Sequence, residues 1–149
     1  MIKHEMTHDN IVKIAGKWLK KHDQNGKLYN CAVVTTELKC LNKTGEIPDV
    51  IGINSSTSFL IEVKTSYSDF INDFKKPFRQ KPELGMGEFR YYLCPINLIK
   101  ENELPEKWGL LYINPDGVID IIKYSDKFEY NIGSERNLLY SLLIREKKK

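Results

Sequence analysis

The sequence is poor in the features that mark several protein classes. Its three cysteines, Cys31, Cys40 and Cys94, have no CxxC spacing and no nearby histidine that would complete a zinc site, so we expect reduced, mostly buried thiols. No run of about 18 apolar residues occurs, and the opening MIKHEMTHDN lacks the apolar core of a signal peptide. We therefore expect a cytoplasmic protein that does not enter a membrane.

Neither sign of charge dominates. The 23 basic and 20 acidic residues leave a net charge of +3, so overall charge does not identify a nucleic-acid partner and only local clustering could. A chain of 149 residues with 41% hydrophobic content can bury one core but is short for two ordinary domains. The prediction is a single domain over residues 1–149.

Three segments have the signatures of helices. Apolar residues recur at helical spacing over 7–22, where Thr7 suits the N-cap. The segment 66–78 has phenylalanines on one face and is halted or kinked by Pro77. The segment 134–149 is leucine-rich and begins with a capping sequence. We expect each of these helices to cover part of a sheet.

Six segments rich in β-branched and aromatic residues are typical of strands. The second and third are separated by the polar NSST and the last two by PDG, so each pair is predicted to form an antiparallel hairpin. The segment 79–88 contains two glycines and a proline without periodicity and is predicted to be a loop. The predicted strands cover residues 28–41, 49–53, 58–66, 89–96, 108–114 and 118–124.

This order, α-β-β-β-α-β-β-β-α, predicts an α/β fold with a mixed central sheet flanked by helices. Within the first hairpin, Glu62 and Lys64 are two apart on a strand and project from one face. Asp49 begins the partner strand and is predicted to lie across the ladder from Glu62. Two carboxylates would then converge beside an ammonium group.

Such a group has a definite chemistry. Asp49 and Glu62, with water and the backbone carbonyl of Val63, would form an all-oxygen site for Mg²⁺ or Mn²⁺. The ion could polarise a phosphodiester and lower the pKa of bound water, while Lys64 orients that water or neutralises developing charge. Taken alone, an E-x-K pair is more typical of a solvated sheet face. Its apolar surroundings, the Pro48-Asp49 pair and the helix that follows favour the site.

These residues resemble the PD-(D/E)XK nuclease superfamily, in which Pro48-Asp49 and Glu62-Val63-Lys64 would stand as the motif. EVKTSYSDFINDFKKPFR, YYLCP and GLLYINPDG further resemble the MmcB-like family of small bacterial DNA-repair nucleases, over roughly residues 7–125. The resemblance implies a restriction-endonuclease-like core, a Mg²⁺ or Mn²⁺ cofactor and DNA as partner, with RNA left open.

Further acids are implied by the resemblance. Family members often supply one from the first helix or strand, where Glu37 matches best as an additional catalytic residue, although an ordinary surface glutamate is an equal explanation. Glu46 stands where relatives frequently carry an arginine, so its role is left open. Asp69 resembles the acid that follows the E-x-K strand, but helix capping accounts for it better.

A set of basic residues is interleaved with aromatics after the second helix and is predicted to bind nucleic-acid phosphates while the aromatics stack on bases. Core packing is an equal explanation for the aromatics. The predicted phosphate contacts are Lys75, Lys76, Arg79, Lys81 and Arg90. The histidines are assigned to surface or helix-end roles outside the site.

The leading hypothesis is a Mg²⁺-dependent nuclease that hydrolyses DNA phosphodiester bonds in repair, recombination or a mobile-element setting. One alternative keeps the fold but acts as a non-catalytic nucleic-acid-binding or interaction module. Another is a small type II restriction endonuclease, whose homodimer would read a palindrome.

Overall fold

The computed structural model describes residues 6–21, 30–36 and 45–148. Glu37, predicted to assist catalysis, and Cys40 lie outside these residues. Both described cysteines, Cys31 and Cys94, are buried free thiols, as expected. Within the described part of the chain, no helix has the length and apolarity needed to cross a membrane.

The elements alternate along the chain. The helices are α1 (His8–Lys20), α2 (Tyr67–Asp73), α3 (Pro77–Gln80) and α4 (Ile132–Lys147), with 3₁₀ turns at Pro82–Leu84 and Glu101–Glu103. The strands are β1 (Val33–Thr36), β2 (Val50–Ile53), β3 (Ser58–Val63), β4 (Phe89–Pro95), β5 (Gly109–Ile113) and β6 (Ile119–Lys123).

The six strands form one mixed sheet in chain order, β1 to β6. β3, β4 and β5 run parallel to one another, while β1 with β2, β2 with β3, and β5 with β6 are antiparallel. The two predicted hairpins and the mixed α/β sheet flanked by helices are therefore confirmed. The element order differs from the prediction, because α3 and the two 3₁₀ turns interrupt it.

Helix α1 forms as its sequence predicts. The hydroxyl of its N-cap Thr7 accepts the N–H of Asn10 at 3.2 Å, which satisfies one of the donors left open in the first turn. Its apolar face, with Ile11, Ala15 and Leu19, is buried against the sheet. Full burial of each large aliphatic side chain contributes about 1.5–3 kcal/mol to stability.

The segment around Pro77 differs from the prediction. Helix α2 is capped by Ser66, whose hydroxyl accepts the N–H of Asp69, and it ends at Asp73. Pro77 then begins α3, because its fixed φ suits a first helical position where no N–H is needed. The predicted loop 79–88 therefore contains the end of α3 and a 3₁₀ turn.

Strand β3 is buried on both faces, and its alternation positions the site. Ile61 and Val63 pack in the cluster beneath α1. Leu60 points to the opposite side, into the cluster of α2, and Glu62 follows it at the strand period. Glu62 is paired in register with Tyr92 of β4. The face of β3 that carries Glu62 is therefore mostly apolar, and Glu62 lies near the carboxyl end of the strand.

Candidate active site

An open cavity of about 250 Å³ lies at the carboxyl end of β3, between α1 and α2. Its lining brings together the four residues predicted to bind metal or to act in catalysis within the described chain. These are Asp49, Glu62, Val63 and Lys64.

Asp49 is held against β3 by the geometry of the hairpin. Val50 is the partner of Ile61 in the antiparallel ladder, so Asp49 lies one step further, beside the end of β3. Its Oδ2 accepts the backbone N–H of Val63 at 2.9 Å. The carboxylate therefore has a fixed position across from the E-x-K residues, as the hairpin pattern predicts.

Glu62 is an ionisable group in a nearly dry position, with its side chain 4% exposed. Burial raises the pKa of Glu62 well above its ordinary value, and the negative charge of Asp49 raises it further, while Arg79 acts in the opposite direction. Oε1 of Glu62 lies 3.1 Å from Nη2 of Arg79. A cation bound between Asp49 and Glu62 would relieve the repulsion between their charges.

Asp73 of α2 lies behind the cavity and is fully buried. It accepts from Nζ of Lys64 at 3.3 Å, from Nε of Arg79 at 2.8 Å and from the hydroxyl of Tyr92. Although burial alone would raise the pKa of Asp73, the positive charges of Arg79 and Lys64 hold it well below the ordinary range. The charged form of Asp73 is therefore favoured, and it holds Lys64 at the cavity.

Arg79 requires a correction. It was predicted to contact phosphate, yet its side chain is only 4% exposed and lies against three carboxylates. Besides Asp73 and Glu62 it contacts Glu46, whose Oε2 lies 2.9 Å from Nη1. Burial opposes the charge of Arg79, but Glu62 and Glu46 outweigh it and raise the pKa of Arg79. Glu46, whose role the sequence left open, holds this guanidinium and also accepts the N–H of Met86.

Arg90 requires the same correction for a different reason. It is fully buried, and its guanidinium donates to backbone carbonyls and lies 4.2 Å from the ring centroid of Phe128. Burial lowers the pKa of Arg90 to about 10. A side chain enclosed in this way cannot reach a phosphate in this structure. Its carbonyl partners belong to Pro82, Gly85, Gly87 and Glu129.

The three lysines of the predicted phosphate-binding set remain accessible. Lys75 and Lys81 are exposed. Lys76 is about half exposed, lines the cavity, and places Nζ 3.0 Å from Oδ1 of Asp73. The prediction that these residues contact phosphate therefore stays a prediction, confined to lysines around the mouth of the cavity.

Two residues at the site were missed by the sequence analysis. Asp73 was not singled out within the predicted helix 66–78, and His8 was placed outside the site. Nε2 of His8 lies 3.4 Å from Oδ2 of Asp49, and His8 lines the same cavity. A signal for His8 was present, because it precedes Ile11 and Ala15 at the spacing of the buried face of α1. Asp69 also lines the cavity, in addition to its place in the capped first turn of α2.

The donor set fits a hard divalent ion. Among the described residues, no group of three or more His, Cys, Asp or Glu side chains is arranged to hold a metal. Mg²⁺ does not require one, because it keeps several waters and commonly uses one or two carboxylates. Asp49, Glu62 and the carbonyl of Val63 would supply oxygen ligands, whereas zinc in proteins favours sets rich in thiolate or imidazole.

Comparison with known proteins gives one likeness in fold. No protein-family model matches the chain, and no curated protein matches it. A solved structure, the SPO1766 protein of unknown function from Silicibacter pomeroyi, aligns with a TM-score of 0.56 at 19% identity, covering 78% of this chain and 75% of that one. At this identity the likeness concerns the fold alone, and the chain is similar to that protein in its mixed α/β architecture.

Proposed function

We propose that this protein is a Mg²⁺-dependent nuclease that hydrolyses DNA phosphodiester bonds, built on a restriction-endonuclease-like core. Support comes from the convergence of two carboxylates and an ammonium group at the end of β3, where Asp49, Glu62 and Lys64 line one cavity. The same three residues carry the resemblance to the PD-(D/E)XK motif. This convergence is the observation on which the proposal depends.

The charge of the cavity supports a metal-dependent reaction. Its lining contains four acidic side chains and two ammonium groups, and the acids still outnumber the cations when Arg79, behind Glu62 and Asp73, is included. A phosphodiester would be repelled from such a surface unless a cation bridged the two. When bound, Mg²⁺ would supply Lewis acidity and a water of lowered pKa. The protein would therefore bind the ion first and the phosphate through it.

Each residue has a distinct part in the proposed reaction. Asp49 and Glu62 would hold the ion through carboxylate oxygens, with the carbonyl of Val63 as a further ligand. Lys64 would orient the attacking water and offset negative charge that develops on the phosphoryl oxygens, which a fixed cation in a partly dry site does well. Lys76 at the rim would contact a flanking phosphate.

The test is cleavage of end-labelled DNA with Mg²⁺ by the natural protein, Asp49→Asn, Lys64→Met and a control, Asp120→Asn. Asp120 is an exposed carboxylate on β6, away from the cavity. We expect about 10²-fold or greater loss for the first two variants and an unchanged rate for the control. Calorimetric titration with Mn²⁺ gives a second readout, in which Asp49→Asn weakens binding and Lys64→Met does not. Equal cleavage by all four proteins would overturn the proposal.

A second candidate is a nucleic-acid-binding module without catalysis. It is favoured by one contact, the pairing of Glu62 with Arg79, because that pairing already gives the buried acid a positive partner without a metal. Such a protein would bind DNA in EDTA, with an affinity that falls steeply with salt as phosphate contacts release counterions. Binding in EDTA together with absent cleavage in Mg²⁺ would select this candidate.

A further inference from the structure

The chemistry proposed above makes no use of Asp73, a buried acid at the back of the cavity. Resting on that proposed function, we propose that Asp73 is a positioning residue for the reaction. It holds the ammonium group of Lys64 directly, and it holds the guanidinium of Arg79, which forms an ion pair with Glu62.

The hydrogen bonds of Asp73 indicate positioning rather than metal binding. Oδ1 lies 3.3 Å from Nζ of Lys64 and 3.0 Å from Nζ of Lys76. Oδ2 accepts from Nε of Arg79 at 2.8 Å and from the hydroxyl of Tyr92. A carboxylate has about four lone-pair sites, so these four donors saturate it. Asp73 therefore has no oxygen left for a metal, although it lies at the back of the cavity.

Lys64 depends on such a partner to keep its ammonium group in one position. Its ammonium group ends a flexible stem and could adopt many positions when unrestrained. In the structure it is almost buried, and it donates a side-chain hydrogen bond to Asp73. Helix α2 thus determines where the charge of Lys64 stands relative to Asp49 and Glu62.

The route to Glu62 runs through a rigid group. The guanidinium of Arg79 is planar, and each of its three nitrogens lies within 3.1 Å of a different carboxylate, namely Asp73, Glu46 and Glu62. The guanidinium is rigid, so the contacts of Nε and Nη1 with Asp73 and Glu46 also determine the position of Nη2, which faces Glu62. Loss of either carboxylate would remove one of these two contacts. Asp73 and Glu46 therefore orient the guanidinium of Arg79 so that Nη2 lies beside Glu62.

The variant Asp73→Asn distinguishes a positioning role from a purely structural one, because only a positioning role lowers kcat in the folded protein. Glu135→Gln is the matched control, because Glu135 is another buried acid, bonded to Ser58 and Gly87 outside the cavity. For Asp73→Asn we expect kcat to fall about 30- to 100-fold with KM for DNA within about twofold, because misplacement of a reacting group by 1 Å can cost 10²-fold. Glu135→Gln should destabilise the fold while leaving kcat unchanged.

Tyr92→Phe gives a second, milder variant in case Asp73→Asn does not fold. It removes one donor to Oδ2 and keeps the charge of Asp73. We expect kcat to fall about 3- to 10-fold, between the natural protein and Asp73→Asn. Unchanged kcat in both Asp73→Asn and Tyr92→Phe would overturn the proposal, as would an equal fall in kcat for Glu135→Gln.

A readout independent of cleavage distinguishes failure of this proposal from failure of the proposed function. NMR of the ¹⁵N-labelled lysine ammonium groups, with the Lys64 signal assigned from Lys64→Arg, should show a slowly exchanging Lys64 signal in the natural protein. Asp73→Asn should lose this signal and Glu135→Gln should keep it. If the natural protein cleaves no DNA, the nuclease function fails while this signal still decides the positioning. A Lys64 signal that persists in Asp73→Asn overturns it.

Discussion

Arg79 and Arg90 share a segment, a residue type and a predicted role, yet the fold uses them in opposite ways. Arg79 is surrounded by three carboxylates at the back of the cavity. Arg90 instead meets neutral backbone carbonyls and the ring of Phe128. The pKa of Arg79 is accordingly raised and that of Arg90 is lowered, although burial disfavours the charge of both.

The difference shows what each burial achieves. Full charges around Arg79 connect α3, β3 and the segment before β2, so this cation links the elements that build the cavity. Carbonyl dipoles around Arg90 close the chain over 82–90 onto residue 129, which secures the connection between α3 and β4. Arg79, a buried cation among acids, therefore belongs to the candidate site. Arg90, a buried cation among carbonyl dipoles, has a structural role.

The largest effect is expected for Arg79→Met. This substitution leaves three carboxylates facing the position of the lost cation, and removal of one partner from a buried ion network costs about 3–5 kcal/mol. Urea denaturation would measure the loss in the free energy of unfolding. Adding Glu62→Gln to Arg79→Met removes one uncompensated charge and should recover at least about 1 kcal/mol. No recovery in the double variant would show that lost packing, not charge, causes the effect.

A smaller effect is expected for Arg90→Met. Methionine keeps the apolar contact with Phe128, but several carbonyl acceptors lose their donor, at a cost of about 2–3 kcal/mol. Hydrogen exchange should quicken for amides of residues 82–88, and the cleavage rate per folded molecule should stay within twofold of the natural protein. A loss of activity as large as that of Lys64→Met would contradict the division between the two arginines.

The smallest effect is expected for the surface lysines. The affinity for duplex DNA should depend less steeply on salt in Lys75→Ala and in Lys81→Ala. In each variant the slope of log affinity against log salt should become less negative by about 0.9, because one phosphate contact is lost. Lys76→Ala should change the slope less, because Asp73 already compensates the charge of Lys76. The free energy of unfolding should change by no more than about 0.5 kcal/mol in Lys75→Ala and Lys81→Ala. Unaltered salt slopes in all three variants would remove these lysines from the interface.

Local signals were enough to predict much of the fold. Helix α1 has its cap and its apolar face within one segment, and the β2–β3 hairpin has alternation and a polar turn. The hairpin also allowed the neighbourhood of Asp49 and Glu62 to be predicted, because antiparallel register follows from the length of the turn. Helix α3 was missed since its four residues are too few for a periodic pattern.

The ion network could not be read from the sequence for a physical reason. Charged residues are assigned to the surface unless a partner is known, and the partners here are far apart in the chain. Glu46 meets Arg79 at a separation of 33 residues, and this contact exists only after α3 has packed beside β3. Lys64 was predicted to lie beside Asp49 and Glu62, and it lines the same cavity as they do. Asp73, which holds Lys64, could not be recognised before the position of α2 was known.

The order of the strands has a consequence for how the chain is made. Over residues 6–21, 30–36 and 45–148, every strand lies beside the one that precedes it in the chain, so none of these strands has to be inserted between two that are already paired. During synthesis each new strand can add to an edge that has already left the ribosome. The residues that line the cavity lie between positions 8 and 76, so all of them have been synthesised before the chain reaches β4.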